Sequence, residues 1–194
     1  MTTSQVFVAF VVLVAVERLA ELRLSRRNES RLRAQGAREH AAGHFFAMQL
    51  LHTLWLGSII LEVTLLQPPF QLWIGVLAAL CFCIGQGLRY AAIHALGGRW
   101  TVRVFTLPGA APVTRGIYRH LRHPNYLGVV LEIAALPLMH SAWRSAVVFS
   151  LANAVLLAVR IRKEEHALSE NGGYDEALGP LPRLWPSLRA RDAA

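Results

Sequence analysis

Five apolar runs, at about residues 4–19, 45–66, 70–93, 126–139 and 142–159, constrain this chain more than any other feature. A helix crosses a bilayer with roughly 17–25 apolar residues, a length that the runs at 45–66, 70–93 and 142–159 reach. Backbone polar groups inside lipid must be bonded within their own segment, so such runs become helices. The expected fold is an all-α integral membrane protein with about five transmembrane helices in a single domain, 1–194. Only 16% of the residues are charged, against about 25% in soluble domains, and the mean hydropathy is +0.38. The same apolar content excludes disorder. No basic segment precedes the first run, and Glu17-Arg18 stands where a cleavage site would need small residues. It reads as a retained span, not a signal peptide.

Lys and Arg total 20 against 12 Asp and Glu. Because the arginines punctuate apolar runs, they read as topology markers rather than as a nucleic-acid surface, and no nucleic-acid partner is expected. Arg18, Arg23, Arg26, Arg27, Arg31, Arg33 and Arg38 separate the first two spans, and Arg89, Arg99, Arg103, Arg115, Arg119 and Arg122 separate the third and fourth. Both loops are expected in the cytoplasm, with the N-terminus out and the C-terminus in. Residues 19–38 have the composition of a helix lying on an anionic lipid surface. Residues 100–105 alternate in character before Pro108-Gly109 and read as a short extended segment. Cys81 and Cys83 would point in different directions on a helix and form neither a metal site nor a disulfide framework. Asn171-Gly172-Gly173 should end the helix leaving the last span, followed by a terminal tail at 189–194.

Two clusters carry chemistry. In the first, Gly116-Ile117-Tyr118-Arg119-His120-Leu121-Arg122-His123-Pro124-Asn125-Tyr126-Leu127-Gly128 leads from a basic loop into the fourth span. Proline suits the first helical turn, whose free N–H groups favour an anion. Arginine and histidine add donors, and Tyr118 and Tyr126 offer aromatic faces. Together they describe a pocket for a small, charged, aromatic ligand at the membrane surface. In the second, Arg160-Ile161-Arg162-Lys163-Glu164-Glu165 stands at the inner end of the fifth span. Asn153, Leu157, Arg160 and Glu164 share one helical stripe, with Glu165 turned about 100° away. A polar stripe leaving a membrane span is costly unless it faces protein or a water-filled cavity.

Gly116-x-Tyr118, then Arg122-His123-Pro124-x-Tyr126-x-Gly128, then Arg160-Ile161-x-x-Glu164-Glu165-x-x-Leu168 resembles the isoprenylcysteine carboxyl methyltransferase family of membrane enzymes. Tyr174 and Pro182-Arg183-Leu184-Trp185-Pro186 extend the resemblance, whereas Ile117 departs from the proline of many relatives. The resemblance implies S-adenosylmethionine as cofactor, held by about residues 97–186 at the cytosolic face, and a lipophilic or prenylated acceptor arriving from the membrane lipids. Carried over by position, Tyr118, Arg122, His123, Pro124, Tyr126 and Gly128 line the cofactor site, Glu165 helps close it, and Arg160 and Glu164 are the catalytic pair. The acceptor is either an isoprenylcysteine-like carboxylate or the phenolic hydroxyl of an alkylresorcinol or alkylpyrone-type lipid. Residues 17–44 resemble a bacterial subgroup that methylates such phenolic lipids. Lys163 is the sole lysine in the chain, a bias that suits a GC-rich bacterial genome and hence an inner-membrane location.

Three alternatives remain at this level. The sterol and steroid reductases share a similar Arg-His-x-Asn-Tyr-x-Gly element and use NADPH, but an acid is expected where Val129 follows Gly128. A metal-dependent membrane oxidase could use His40, His44 and His52, although the remaining histidines are scattered and no metal is expected. A non-catalytic transporter or assembly partner could use Glu62 and Glu132, since intramembrane acids are functional candidates. Glu132, one turn beyond Gly128, is expected on the wall of the cofactor cavity, and Glu62 near the outer end of its span, reaching water.

Overall fold

The computed structural model describes residues 2–40, 42–170 and 172–184. Asn171, Trp185, Pro186 and the tail expected at 189–194 lie outside the described residues. Helix α1 (Thr3–Ala34) opens on a capping box in which the Thr2 hydroxyl accepts from the Gln5 amide and the Gln5 side chain accepts from the Thr2 N–H. It stops where Gly36 takes a φ of +83°, a left-handed conformation that suits glycine. Strand β1 (Arg38–His40) follows, then helix α2 (Ala42–Leu61) with a π-helical turn at Glu62–Leu66, and helix α3 (Leu72–Leu96). After strand β2 (Val104–Thr106) come helices α4 (Pro124–Leu138), α5 (Trp143–Glu170) and α6 (Tyr174–Leu178). β1 and β2 pair antiparallel, Glu39 opposite Phe105.

Three helices are long and apolar enough to cross a membrane: Gly43–Leu66, Leu72–Arg99 and Trp143–Glu170. The first and fourth of the expected spans differ, each for a physical reason. α4 has 15 residues, roughly 22 Å at 1.5 Å per residue, short of a hydrocarbon core about 30 Å thick. It is instead a central helix, buried at Tyr126, Val129, Ile133 and Leu136 and packed on both α3 and α5. α1 carries Glu17, Arg18 and Glu21 and continues unbroken through the segment expected as a separate surface helix. That segment buries Glu21, Ser25, Asn28 and Leu32, so this face packs on protein rather than lipid. Asn28 Nδ2 donates to the Trp100 carbonyl at 2.8 Å, and Ser25 Oγ accepts from the Val102 N–H at 2.9 Å.

The apolar core gathers Val11, Trp55, Ile59, Val63, Ile133 and Leu136, with Trp55 Nε1 donating to the Ile133 carbonyl at 3.2 Å. Outward faces of α3 and α5 expose Leu77, Leu80, Ile84, Leu151 and Val155, the surface that lipid would cover. Cys81 and Cys83 are free thiols on the exposed surface of α3. Where α3 crosses α4, a Cβ on Gly128 would stand 2.7 Å from the Gly85 carbonyl oxygen and 2.5 Å from Arg89 Cγ. Two glycines are therefore needed for the helices to approach so closely.

Behind this crossing lies a buried ionic cluster. Arg89 Nη1 donates to Glu132 at 3.1 Å and Nη2 to Glu21. Arg18 stands 2.9 Å from Glu21 and 3.2 Å from Glu132. Glu132 is thus committed to two guanidiniums and does not stand on the cavity wall. Glu62 is 8% exposed rather than reaching water. Its carboxylate accepts from the Arg144 N–H at 3.1 Å and from the Ser145 N–H and hydroxyl, each at 2.7 Å. It caps the start of α5, whose orphan amides need an acceptor.

Candidate active site

A cavity of about 570 Å³ opens where α1 and α3 end, α4 begins and α5 ends. That size lies within the roughly 300–1,000 Å³ of small-molecule sites. One part of its wall is polar and aromatic, with Tyr118, Arg122, Asn125, Tyr126, Glu164 and Tyr174. Another part runs between α1 and α2 past Ala15, Leu19, Leu22, Met48 and Leu56, and is apolar apart from Arg18, Glu21, Gln49, His52 and Thr53.

The two sequence clusters meet here because Pro124 starts α4 directly against the last turns of α5. Arg160 Nε donates to the Tyr126 hydroxyl at 2.6 Å, and that hydroxyl donates to the Glu164 carboxylate. A second Arg160 nitrogen donates to the Val102 carbonyl, which fixes the guanidinium from the β2 side. The stripe Asn153, Leu157 and Arg160 is buried, so it faces protein. Burial, then the Glu164 carboxylate, then Tyr174 push the Tyr118 phenol above its usual value. Tyr118 therefore stays a neutral donor at the cavity wall.

Glu165 points elsewhere. Its Oε1 lies 3.1 Å from both His123 Nε2 and Arg122 Nη1, and Arg183 donates to Oε2 from Nη2 at 2.7 Å and from Nε at 3.0 Å. Backbone bonds add to this strap, the Arg122 N–H to the Pro182 carbonyl at 3.0 Å and the His123 N–H to that of Arg183 at 3.1 Å. Residues 181–183 are thereby tied across the start of α4.

Of the residues expected at the cofactor, Tyr118, Arg122, His123 and Tyr126 line the cavity, as do Arg160 and Glu164. Pro124, Gly128 and Glu165 do not. Pro124 sets the first turn of α4, Gly128 serves the α3–α4 crossing, and Glu165 anchors the strap. Ionisable wall residues outside the sequence clusters include Arg18, Glu21, His52 and Arg89. Their signal is an ionisable group inside or at the edge of an apolar run, which is costly unless it faces protein or a cavity. His40 bonds the Thr106 hydroxyl at 2.8 Å, and among the described residues no group of three His, Cys, Asp or Glu could hold a metal ion.

Residues 77–170, from α3 to the end of α5, match the model of the isoprenylcysteine carboxyl methyltransferase (ICMT) family. The chain is 38% identical over 165 residues to the uncharacterized protein YpbQ of Bacillus subtilis, covering 84% of this chain and 97% of that protein. An uncharacterized protein of Haemophilus influenzae is 29% identical over 164 residues, 84% of this chain and 94% of its own. Protein-S-isoprenylcysteine O-methyltransferase A of Arabidopsis thaliana is 30% identical over 130 residues, 66% of this chain and 64% of its own. The chain belongs to the isoprenylcysteine carboxyl methyltransferase family.

Proposed function

We propose that the chain transfers a methyl group from S-adenosylmethionine to an oxygen of a lipophilic acceptor at the cytoplasmic face of the membrane. The observation that carries this reading is one cavity with a polar, aromatic wall on the motif side and an apolar wall between α1 and α2. A charged, aromatic cofactor and a lipid tail need those two environments side by side.

The donor set fits the cofactor. Asn125 stands on the polar wall with a buried Oδ1 that has no hydrogen-bond partner among the described residues, an acceptor suited to an amine. Tyr118 supplies an aromatic ring suited to a sulfonium or an adenine, while the Tyr126 ring is already stacked on His123 with the Arg160 guanidinium over it. Glu164 takes one donor, Tyr126, and keeps acceptor capacity for an ammonium or ribose hydroxyls. Arg122 and His123 complete this wall, with Glu165 as a positioning residue that holds both. When bound, the cofactor supplies an electrophilic methyl group on a sulfonium.

The protein's own contribution is orientation and exclusion of water. Aligning two reactants can account for up to about 7–11 kcal/mol of a barrier. Arg160 orients Tyr126 and, through it, Glu164. The acceptor is an isoprenylcysteine-like carboxylate, as the name of the Arabidopsis relative suggests, or a phenolic hydroxyl. The arginine-rich connections 18–38 and 89–122 gather at the motif end, which supports a cytoplasmic site in a bacterial inner membrane.

The reading is tested by calorimetric titration of detergent-purified protein with S-adenosylhomocysteine and, separately, with NADPH. Binding of the first alone is expected. Binding of NADPH alone would move the chain to reductase chemistry, and binding of neither would leave a non-catalytic membrane protein.

A further inference from the structure

Behind the active-site cavity lies a second hollow of about 620 Å³, between the ends of α1 and α3 and residues 112–115. Leu32, Leu96 and Val113 stand on the walls of both spaces. α3 stops at Leu96, and Gly97 then takes a φ of +55°, a turn that brings Arg99 to the hollow alongside Arg31 from α1 and Arg115 from the loop before α4. Gln35 and Thr114 add neutral hydrogen-bonding groups, and no Asp or Glu lines this space.

Helix capping does not exhaust the three guanidiniums. Arg115 Nε donates to the Ala95 carbonyl at 3.2 Å, and Arg99 Nη1 to the Ala111 carbonyl at 2.7 Å. Each bond holds its guanidinium in place and leaves the other N–H groups of the fork without a partner among the described residues. The Arg31 side chain has no hydrogen bond or ion pair among them. Other arginines nearby are matched by carboxylates, Arg33 and Arg103 by Glu39, and Arg122 and Arg183 by Glu165. Two helix ends bring about half a negative charge each, so the hollow keeps a surplus of about two positive charges. Planar forks held side by side suit the several oxygens of a phosphate.

The hollow also lies at the depth of lipid headgroups. The apolar helix Leu72–Arg99 has 28 residues, roughly 42 Å at 1.5 Å per residue, against a hydrocarbon core about 30 Å thick, so its end emerges among them. Glu17, Leu24 and Arg31 are spaced by seven and share one face of α1, and the Tyr90 hydroxyl of α3 donates to Glu17. Leu24 and Tyr90, both exposed, therefore flank the path from the hollow back toward the apolar span, where an acyl chain would lie.

We propose that this hollow is a binding site for a phosphate anion, carried by a lipid headgroup or free in solution. The proposal does not rest on the methyltransferase reading, and its test needs neither cofactor nor turnover. The full chain in a neutral detergent is titrated by native mass spectrometry with dioleoylphosphatidylglycerol, with dioleoylphosphatidylcholine and, at constant ionic strength, with inorganic phosphate. One phosphatidylglycerol per chain is expected to bind saturably, and phosphatidylcholine about tenfold more weakly or worse, because its choline cation meets the guanidiniums. Saturable binding of inorganic phosphate without phosphatidylglycerol would assign the same hollow to a soluble phosphate.

Three variants locate the site. Each charge at a lipid surface is worth about fivefold in affinity, so Arg31→Glu should weaken binding about 25-fold and Thr114→Glu about fivefold. Arg26→Glu makes the same change of charge as Arg31→Glu at an exposed position of α1 outside the hollow, and should stay within about threefold of wild type. Melting is read on each variant, and Thr114→Glu, in a loop and with every arginine kept, carries the test if Arg31→Glu fails to fold. Binding of no probe, equal binding of the two lipids, or matched losses in Arg31→Glu and Arg26→Glu would each overturn the proposal.

Discussion

Replacing Gly128 with alanine probes the helix crossing on which the cavity floor rests. The new Cβ would meet the Gly85 carbonyl oxygen at 2.7 Å and Arg89 Cγ at 2.5 Å, whereas unstrained contacts begin at about 3.5 Å. Neither neighbour can step aside cheaply, since one is backbone and the other is held through its guanidinium by Glu21 and Glu132. α3 and α4 must therefore part by on the order of 1 Å, and overpacking of this kind costs about 1–3 kcal/mol. For a chain of this length each kcal/mol moves Tm by about 2–4 °C, so a fall of roughly 2–12 °C is expected. Gly87 lies on the same helix with nothing within 4 Å of its would-be Cβ. Gly87→Ala should thus be neutral or stabilising by up to about 1 kcal/mol. Both variants are compared with wild type by tryptophan-fluorescence melting in one detergent, and by S-adenosylhomocysteine titration at low temperature. A Gly128→Ala protein that melts with wild type refutes the close crossing. Loss of cofactor affinity at unchanged Tm would show that Gly128 faces the ligand instead.

Arg89→Leu leaves Glu21 and Glu132 with Arg18 alone, and breaking a buried pair costs about 3–5 kcal/mol, so its melt should fall further than that of any variant named here. Adding Glu132→Leu should restore part of the loss. Burial pushes the Glu39 carboxyl up, but Arg103 and Arg33 outweigh it and hold it below its ordinary 4.5. Its contribution is therefore complete above pH 4.5 and lost as pH falls through the folded value, so acidification should lower the Tm of wild type more than that of Glu39→Gln. Glu165→Gln takes the charge from contacts worth about 1.5–3 kcal/mol each, so both Tm and S-adenosylhomocysteine affinity should drop, the latter tenfold or more. Glu164→Gln should keep Tm near wild type while methyl transfer falls; a matched loss of Tm in the two would refute their separate roles.

Much of the bundle was legible because apolar length is a strong signal, and α2, α3 and α5 follow it. The meeting of Tyr126 with Arg160 and Glu164 was also legible, since motif spacing placed both clusters at one end of adjoining helices. Less legible was anything decided by the partner across the bundle. Glu17, Arg18 and Glu21 looked like the start of a surface segment, yet Glu21, Ser25, Asn28 and Leu32 recur at helical spacing and form one buried face. β1 was hidden because Arg38-Glu39-His40 has no strand composition and pairs only because β2 lies beside it. Gly128 looked like a ligand-facing glycine in its motif, but the constraint on it comes from Gly85, 43 residues earlier and outside any motif.

The carboxylates show why burial alone does not assign a role in such a protein. Glu62, Glu132 and Glu165 are all buried, and each meets two or more donors from another element: the α5 amides, two guanidiniums, or the strap and the loop before α4. A carboxylate so engaged is held by the protein, even where one oxygen stays unpartnered as in Glu132, and its removal is felt first as lost structure. Glu164 is one residue from Glu165 but turned onto the cavity wall, where Tyr126 is its one described donor. His52 presents the same imbalance on the other side, one ring nitrogen tied to Met48 and the other bare. Across a membrane-embedded site where most charge is already paired, ligand binding is left to wall groups whose hydrogen bonding is incomplete, Glu164 and the unpartnered Asn125 Oδ1 among them.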